Sequence, residues 1–142
     1  MMAWSWAAQA TSYAVALVLL LGVRGGAGQA CDGSVTLDAA SGFFSDGSAA
    51  GADYGPNLVC SWIIFPPANG YDTIQLTFAR LDTEPTYDSV RLFRLSDSGD
   101  VWEPTGLEFS GSLEDMASSS VSVAAVALKV EFISDSSIGG GG

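Results

Sequence analysis

The chain has 142 residues, 48% of them apolar, with 16 acidic and 5 basic side chains, no histidine and a formal charge of −11. That length suits one domain around one modest core. The acidic balance argues against a nucleic-acid binder, because phosphates would be repelled, and favours cations as ligands, either metal ions or the lysines and arginines of a partner.

In chain order, the first feature is YAVALVLLLGV at 13–23, an apolar run about as long as a signal-peptide core and short of the roughly 20 residues that a membrane-spanning helix needs. RGGAGQA follows at 24–30 and offers small residues to a peptidase, with cleavage expected after Ala27 or Ala30. The usual basic stretch ahead of the apolar run is missing, which keeps an uncleaved signal anchor as the alternative. Residues 1–30 are expected to lie outside the fold as an export signal, leaving a secreted, extracellular domain at 31–142. The only charge in that segment is Arg24, so its loss takes the formal charge from −11 to −12.

Cys31 and Cys60 are the two cysteines, and an even count in an exported chain reads as one disulfide. A metal-binding pair is the alternative, but without histidine two thiols do not complete a tetrahedral zinc site. From Ala39 to Gly55 the sequence is rich in Gly, Ala and Ser and is expected to be a long surface loop.

The rest follows a period of two, broken by turn residues, which predicts an all-β sandwich of about seven strands. CSWIIF from Cys60 reads as one strand. Ile74, Leu76 and Phe78 alternate with Thr73, Gln75 and Thr77 in the next. DSVRLF from Asp88 gives another, and Val126, Leu128, Val130 and Phe132 alternate with Ala127, Lys129 and Glu131 near the end. PPANG, EPTYD and DSGD supply the turns between them. Trp62, Phe65, Phe78 and Phe132 are expected in the core, while Trp102 either caps that core or stands as an exposed contact. There is no Asn-x-Ser/Thr sequon.

No catalytic constellation emerges, so the chain is not read as an enzyme. A Ser/His/Asp triad needs histidine, and paired thiols supply no nucleophile. Asp97-Ser98-Gly99 spells the aspartic-protease tripeptide, which requires two carboxylates sharing a proton; between RLFRLS and Asp100 a solvated turn accounts for it more simply. Asp82, Glu84, Asp88 and Asp135 are different, since all fall at predicted strand ends. Carboxylates gathered at one edge of a sandwich repel one another, and a Ca²⁺ with six to eight oxygen ligands relieves that cost. Scattered loop carboxylates that are merely solvated are the plainer alternative.

Taken together, the residues resemble the CUB domain, an extracellular jelly-roll-like β-sandwich, from Cys31 to the chain end. The most specific block is YGPNLVCSWIIFPPANGYDTIQLTF, in which Tyr54, Asn57, Cys60, Trp62, Ile63 and Pro67 occupy the family's positions. CDG at Cys31, GFFS at Gly42, LDTE, TYDSVRLF and LKVEFISDSS match the remaining landmarks in order. The resemblance extends to a calcium-binding subset whose ligand positions fall on Glu84, Asp88 and Asp135, with Tyr54 in support and Ser136 or Ser137 adding oxygens. In that subset the ion holds carboxylates that also capture a lysine of a partner.

Three departures accompany it. The second family disulfide is absent, Pro85 standing near one expected cysteine and GLEFSGS lacking the other. Glu84 and Asp88 are closer in sequence than usual. The chain ends in GGGG where the family continues with a last strand, so the domain is expected to be C-terminally incomplete. The function this implies is a non-catalytic, Ca²⁺-dependent module that binds an extracellular protein through exposed Lys or Arg. The alternatives are a metal-free structural or adhesive module of the cell surface or matrix, and the non-catalytic part of a larger secreted protease.

Overall fold

Alternation of apolar and polar residues gives each strand one face to bury, and two such sheets stacked face to face are the simplest way to bury both. The computed structural model describes residues 2–9, 31, 33–48, 52–67 and 70–137, and within them the fold is an all-β sandwich. Its strands are β1 (Ala3–Gln9), β2 (Gly33–Leu37), β3 (Ser41–Ser45), β4 (Val59–Ile64), β5 (Thr73–Arg80), β6 (Ser89–Leu95), β7 (Trp102–Phe109), β8 (Ser120–Ala124) and β9 (Leu128–Ile133). One sheet runs β3-β1-β5-β8 and the other β2-β4-β9-β6-β7.

The inward phase can be read directly in β4, β5 and β9. Cys60, Trp62 and Ile64 of β4, Ile74, Leu76 and Phe78 of β5, and Leu128, Val130 and Phe132 of β9 are all buried and form one core between the sheets. The same phase corrects two sequence expectations. Phe65 would continue β4 on the outward beat, and it is 50% exposed, with its N–H donated to the Leu37 carbonyl (2.8 Å). Val126 lies in the turn before β9 and is 56% exposed.

Cys31 and Cys60 form the disulfide, with Cα atoms 5.5 Å apart. It ties down β2, an edge strand with four exposed positions that pairs with β4 in parallel, the one such pairing among the described strands. A parallel pair burying so little has weak hold of its own. Closing a loop of this length contributes about 3–4 kcal/mol in the chain-entropy model.

Two further expectations are overturned at the N-terminal side. The sequence leads one to expect residues 1–30 outside the fold, yet Ala3–Gln9 form β1, in register with β3 on one side (Trp4 with Phe44, Trp6 with Gly42) and β5 on the other (Trp4 with Phe78, Trp6 with Leu76). The physical reason is the alternation Met2, Trp4, Trp6, all buried, in MAWSWAAQ at 2–9, a period-two pattern hidden beside the longer apolar run. That run at 13–23, Arg24 and the cleavage positions Ala27 and Ala30 lie outside the described residues, as do 138–142.

Ser41–Ser45, expected within a long loop, are β3. Gly42 permits this, because the Trp6 indole covers it: a Cβ there would stand 2.3 Å from the ring. Gly42→Ala is accordingly expected to lower the unfolding free energy by about 1–3 kcal/mol through overpacking, measurable by chemical denaturation.

Candidate functional site

Strand register brings the acidic residues to one end of the sandwich. Ile133 of β9 stands opposite Val59 of β4 and opposite Ser89 of β6. The residues one or two steps beyond those pairs, Asn57 and Leu58, Asp88, and Ser134 and Asp135, must therefore emerge side by side. Ser134, buried, fixes the neighbourhood: its hydroxyl accepts the Leu58 N–H (2.9 Å) and donates to the Gly55 carbonyl (3.0 Å). The Asn57 N–H is donated to the Asp135 carbonyl at 2.6 Å.

Asp88 lies at the centre and is fully buried. Its Oδ1 accepts the Asp135 N–H (2.8 Å), and its Oδ2 accepts the Tyr54 hydroxyl. The Tyr54 ring is buried edge-on against Phe132, and its hydroxyl also accepts the Glu84 N–H at 2.9 Å. Ser137 closes the cluster by contacting the Glu84 Oε2 (3.0 Å) and the Asp135 Oδ1, while its own N–H is donated to Asp135 at 2.7 Å. Tyr54, Glu84, Asp88, Asp135 and Ser137 thus share one hydrogen-bonded network. Ser136 is exposed and takes no part in it. Asp82 stays apart, bridged to Ser112 and facing Arg80 at 3.9 Å.

The electrostatics are one-sided. Each basic side chain among the described residues is engaged elsewhere: Arg80 with Asp82, Arg91 with Glu108, Arg94 with Glu103 and Lys129 with Glu131. None of them is paired with Glu84, Asp88 or Asp135. Hydrogen bonds from the Ser137 hydroxyl and N–H hold the Asp135 carboxyl below the usual carboxylate range. Among the described residues no three acidic or cysteine side chains already stand at the spacing of a metal centre.

Burial, reinforced by the Asp88 hydrogen bond, pushes the Tyr54 phenol well above its ordinary pKa of 10.0. A group whose folded pKa is raised contributes stability that is complete below its unfolded pKa and lost as pH rises through the folded one. The protein is therefore expected to lose stability above about pH 10, and Tyr54→Phe to flatten that alkaline limb. The variant should also cost about 1–3 kcal/mol at neutral pH, since the Glu84 N–H and Asp88 lose a partner. Denaturation curves at pH 7 and pH 10.5 test both effects.

The loop carrying Glu84 and Asp88 is short and braced by residues that the sequence did not mark. The Asp88 N–H is donated to the Glu84 carbonyl (3.1 Å), closing a turn over 85–87 with Thr86 at φ 79°. Ser110 reaches the Glu84 and Asp88 carbonyls (3.2 and 2.7 Å) and accepts the Thr86 N–H at 3.1 Å. Thr83 and Gly111 exchange further bonds, the Gly111 N–H meeting the Thr83 hydroxyl at 2.7 Å. These contacts join the two segments in which the CUB resemblance leads one to expect a second disulfide. FSGS at 109–112 carries the signal, a serine and a glycine at a turn between two strands. Tyr87, also unmarked, stands 65% exposed next to Asp88.

Other candidates lie away from the cluster. Asp97-Ser98-Gly99 is the β6–β7 turn, with the Ser96 and Ser98 hydroxyls donated to Asp100. Trp102 is half-buried opposite Leu95. A shallow depression beside Asp82, lined by Arg80, Leu81, Ser112, Leu113 and Glu114, includes no side chain of the cluster.

No protein-family model matches the chain, and no curated protein does. Among solved structures it is similar to the full extracellular region of zebrafish Gpr126/Adgrg6, with TM-score 0.51 and 21% identity, over 79% of this chain and 14% of that one. At that identity the likeness speaks to the fold alone, and the chain spans a small part of the longer structure.

Proposed function

We propose that this chain is a secreted, non-catalytic binding module of the CUB type, and that Glu84, Asp88 and Asp135 hold one Ca²⁺ and capture a basic group of an extracellular protein. The observation that carries this is Asp88: a fully buried carboxylate, hydrogen-bonded within a cluster holding two more, with no cationic side chain among the described residues paired to any of the three. An uncompensated buried charge is costly unless a cation or a dense set of donors offsets it. The donor atoms are all oxygens, from three carboxylates and the Ser137 and Tyr54 hydroxyls, which suits a hard cation such as Ca²⁺. Bound there, the ion would supply positive charge that keeps all three carboxylates ionised. Tyr54 and the Asp135 N–H orient Asp88, and Ser137 holds Glu84 beside Asp135. The exposed Tyr87 ring offers an apolar and cation-attracting surface beside the cluster for a lysine or arginine stem.

The disulfide suits an oxidising compartment, and the structural likeness to an extracellular region is consistent with export. A metal-free structural module is the second reading, favoured by the donors that each of the three carboxylates already has. Thermal unfolding of the full chain with millimolar Ca²⁺, Mg²⁺ or chelator decides between them. At a hundred times its dissociation constant a native-state ligand stabilises by about 2.7 kcal/mol, or roughly 5–10 °C for a domain of this size. The proposal expects such a rise with Ca²⁺, lost in Glu84→Ala and in Asp135→Ala, and Ca²⁺-dependent binding of a lysine-rich peptide. No rise in a cooperatively folded protein overturns the metal reading and leaves the structural module.

A further inference from the structure

Strand β1 stands between two strands that do not bond to each other. Among the described strands β3 and β5 are joined only through it, by five register pairs on one side and seven on the other. Without β1, two backbone ladders open at once, and Phe44, Trp62 and Phe78, whose rings lie 5.6, 6.4 and 4.5 Å from the Trp4 ring, lose their cover. The slot therefore fits an extended segment with a bulky apolar residue at every second position, a pattern that Met2, Trp4 and Trp6 supply. AWSWAAQ contains no charge and no proline, so it lacks the usual devices that keep a strand from pairing with another chain.

The way the strand is attached decides its reach. Residues 10–30 separate β1 from Cys31; fully extended they span up to roughly 70 Å, against a diameter of about 40 Å for a domain of this length. We propose that β1 is an exchangeable strand, and that two copies of this chain join by inserting Met2–Gln9 into each other's slot between β3 and β5. Every contact made within one chain is remade between two, so the balance is set by protein concentration and linker entropy rather than by any new surface. The inference does not rest on the cation site: none of Tyr54, Glu84, Asp88, Asp135 and Ser137 lies in β1.

Ser5 and Thr77 are register partners across β1 and β5. In the full chain carrying Ser5→Cys and Thr77→Cys, refolded and then oxidised, the new disulfide is expected within one chain at low concentration and between two chains at high concentration, the latter running as a reducible dimer. Light scattering on the chain without added cysteines should show the same rise in dimer after concentrated refolding, and Trp4→Ser should abolish it. A bond confined to single chains at every concentration, with a molar mass that stays monomeric, overturns the exchange. Failure of the bond to form in a folded chain overturns the placement of β1 itself.

Discussion

Replacing Trp4 with alanine is expected to lower the unfolding free energy of the full chain by about 3–5 kcal/mol, the range for emptying a large aromatic site in a core. The indole is fully buried and is stacked on Phe44, with Phe78 and Trp62 completing its surroundings. That loss is a large fraction of what a domain of this size has in total. Trp4→Phe should behave differently. The Trp4 Nε1–H is buried without a hydrogen-bond partner among the described residues, and an unsatisfied donor costs about 1–3 kcal/mol. Removing it offsets part of the smaller ring's lost packing, so the phenylalanine variant should lie within about 1 kcal/mol of wild type. Equilibrium urea unfolding of the three proteins measures both differences. Equal stability of all three would mean that β1 is not held in the slot in solution.

The result bears on maturation. Cleavage after Ala27 or Ala30 would cut the connection between β1 and β2 while leaving the β3–β5 slot in place. A domain that keeps its fold after such a cut must hold the strand by its ladder and its buried aromatics alone, or fill the slot with another strand. The intact mass of the protein recovered from the medium of an expressing cell, measured natively and after denaturation, distinguishes a covalent strand from a bound one.

The N-terminal segment shows where sequence reasoning reached its limit. AWSWAAQ has strand alternation over only seven residues, next to an apolar run that reads as an export signal, and nothing local says that its partners lie at 41–45 and 73–80. Ser41–Ser45 was missed for the linked reason: in isolation SGFFS sits within a glycine- and serine-rich stretch, and it becomes a strand because β1 pairs with it. In contrast, β4, β5 and β9 declare themselves, since each has several inward apolar residues at strict spacing. Phe65 shows that identity is a weaker guide than phase. Its ring is as apolar as that of Phe78, but it falls on the outward beat.

The acidic cluster was legible to a different depth. Strand ends put Glu84, Asp88 and Asp135 at the rim, and the structure joins them through Tyr54 and Ser137. Asp82 stands apart from them, bridged to Ser112 and facing Arg80. The bracing by Thr83, Ser110 and Gly111 was invisible to any reading that looked only for cysteines, because hydroxyls and backbone amides perform the joining there.

The cluster yields the second large effect, and its sign depends on the solution. Asp88→Asn keeps the shape of the side chain and its acceptor for the Asp135 N–H but removes the buried negative charge. In chelator, where nothing compensates that charge beyond its hydrogen bonds, the asparagine variant is expected to match wild type or exceed it by up to about 1 kcal/mol, relief of an unpaired buried charge outweighing the loss of the Tyr54 hydroxyl's carboxylate acceptor. In saturating Ca²⁺ the order should reverse, wild type gaining about 2.7 kcal/mol at a hundred times the dissociation constant while the variant gains little. Parallel melting curves in the two solutions measure the crossing. A variant less stable than wild type by the same margin in both would assign Asp88 a purely structural role, holding Tyr54 and the Asp135 backbone. A crossing would mean that wild type retains a charge which only a bound cation makes favourable, which is how a binding site differs from a well-bonded loop.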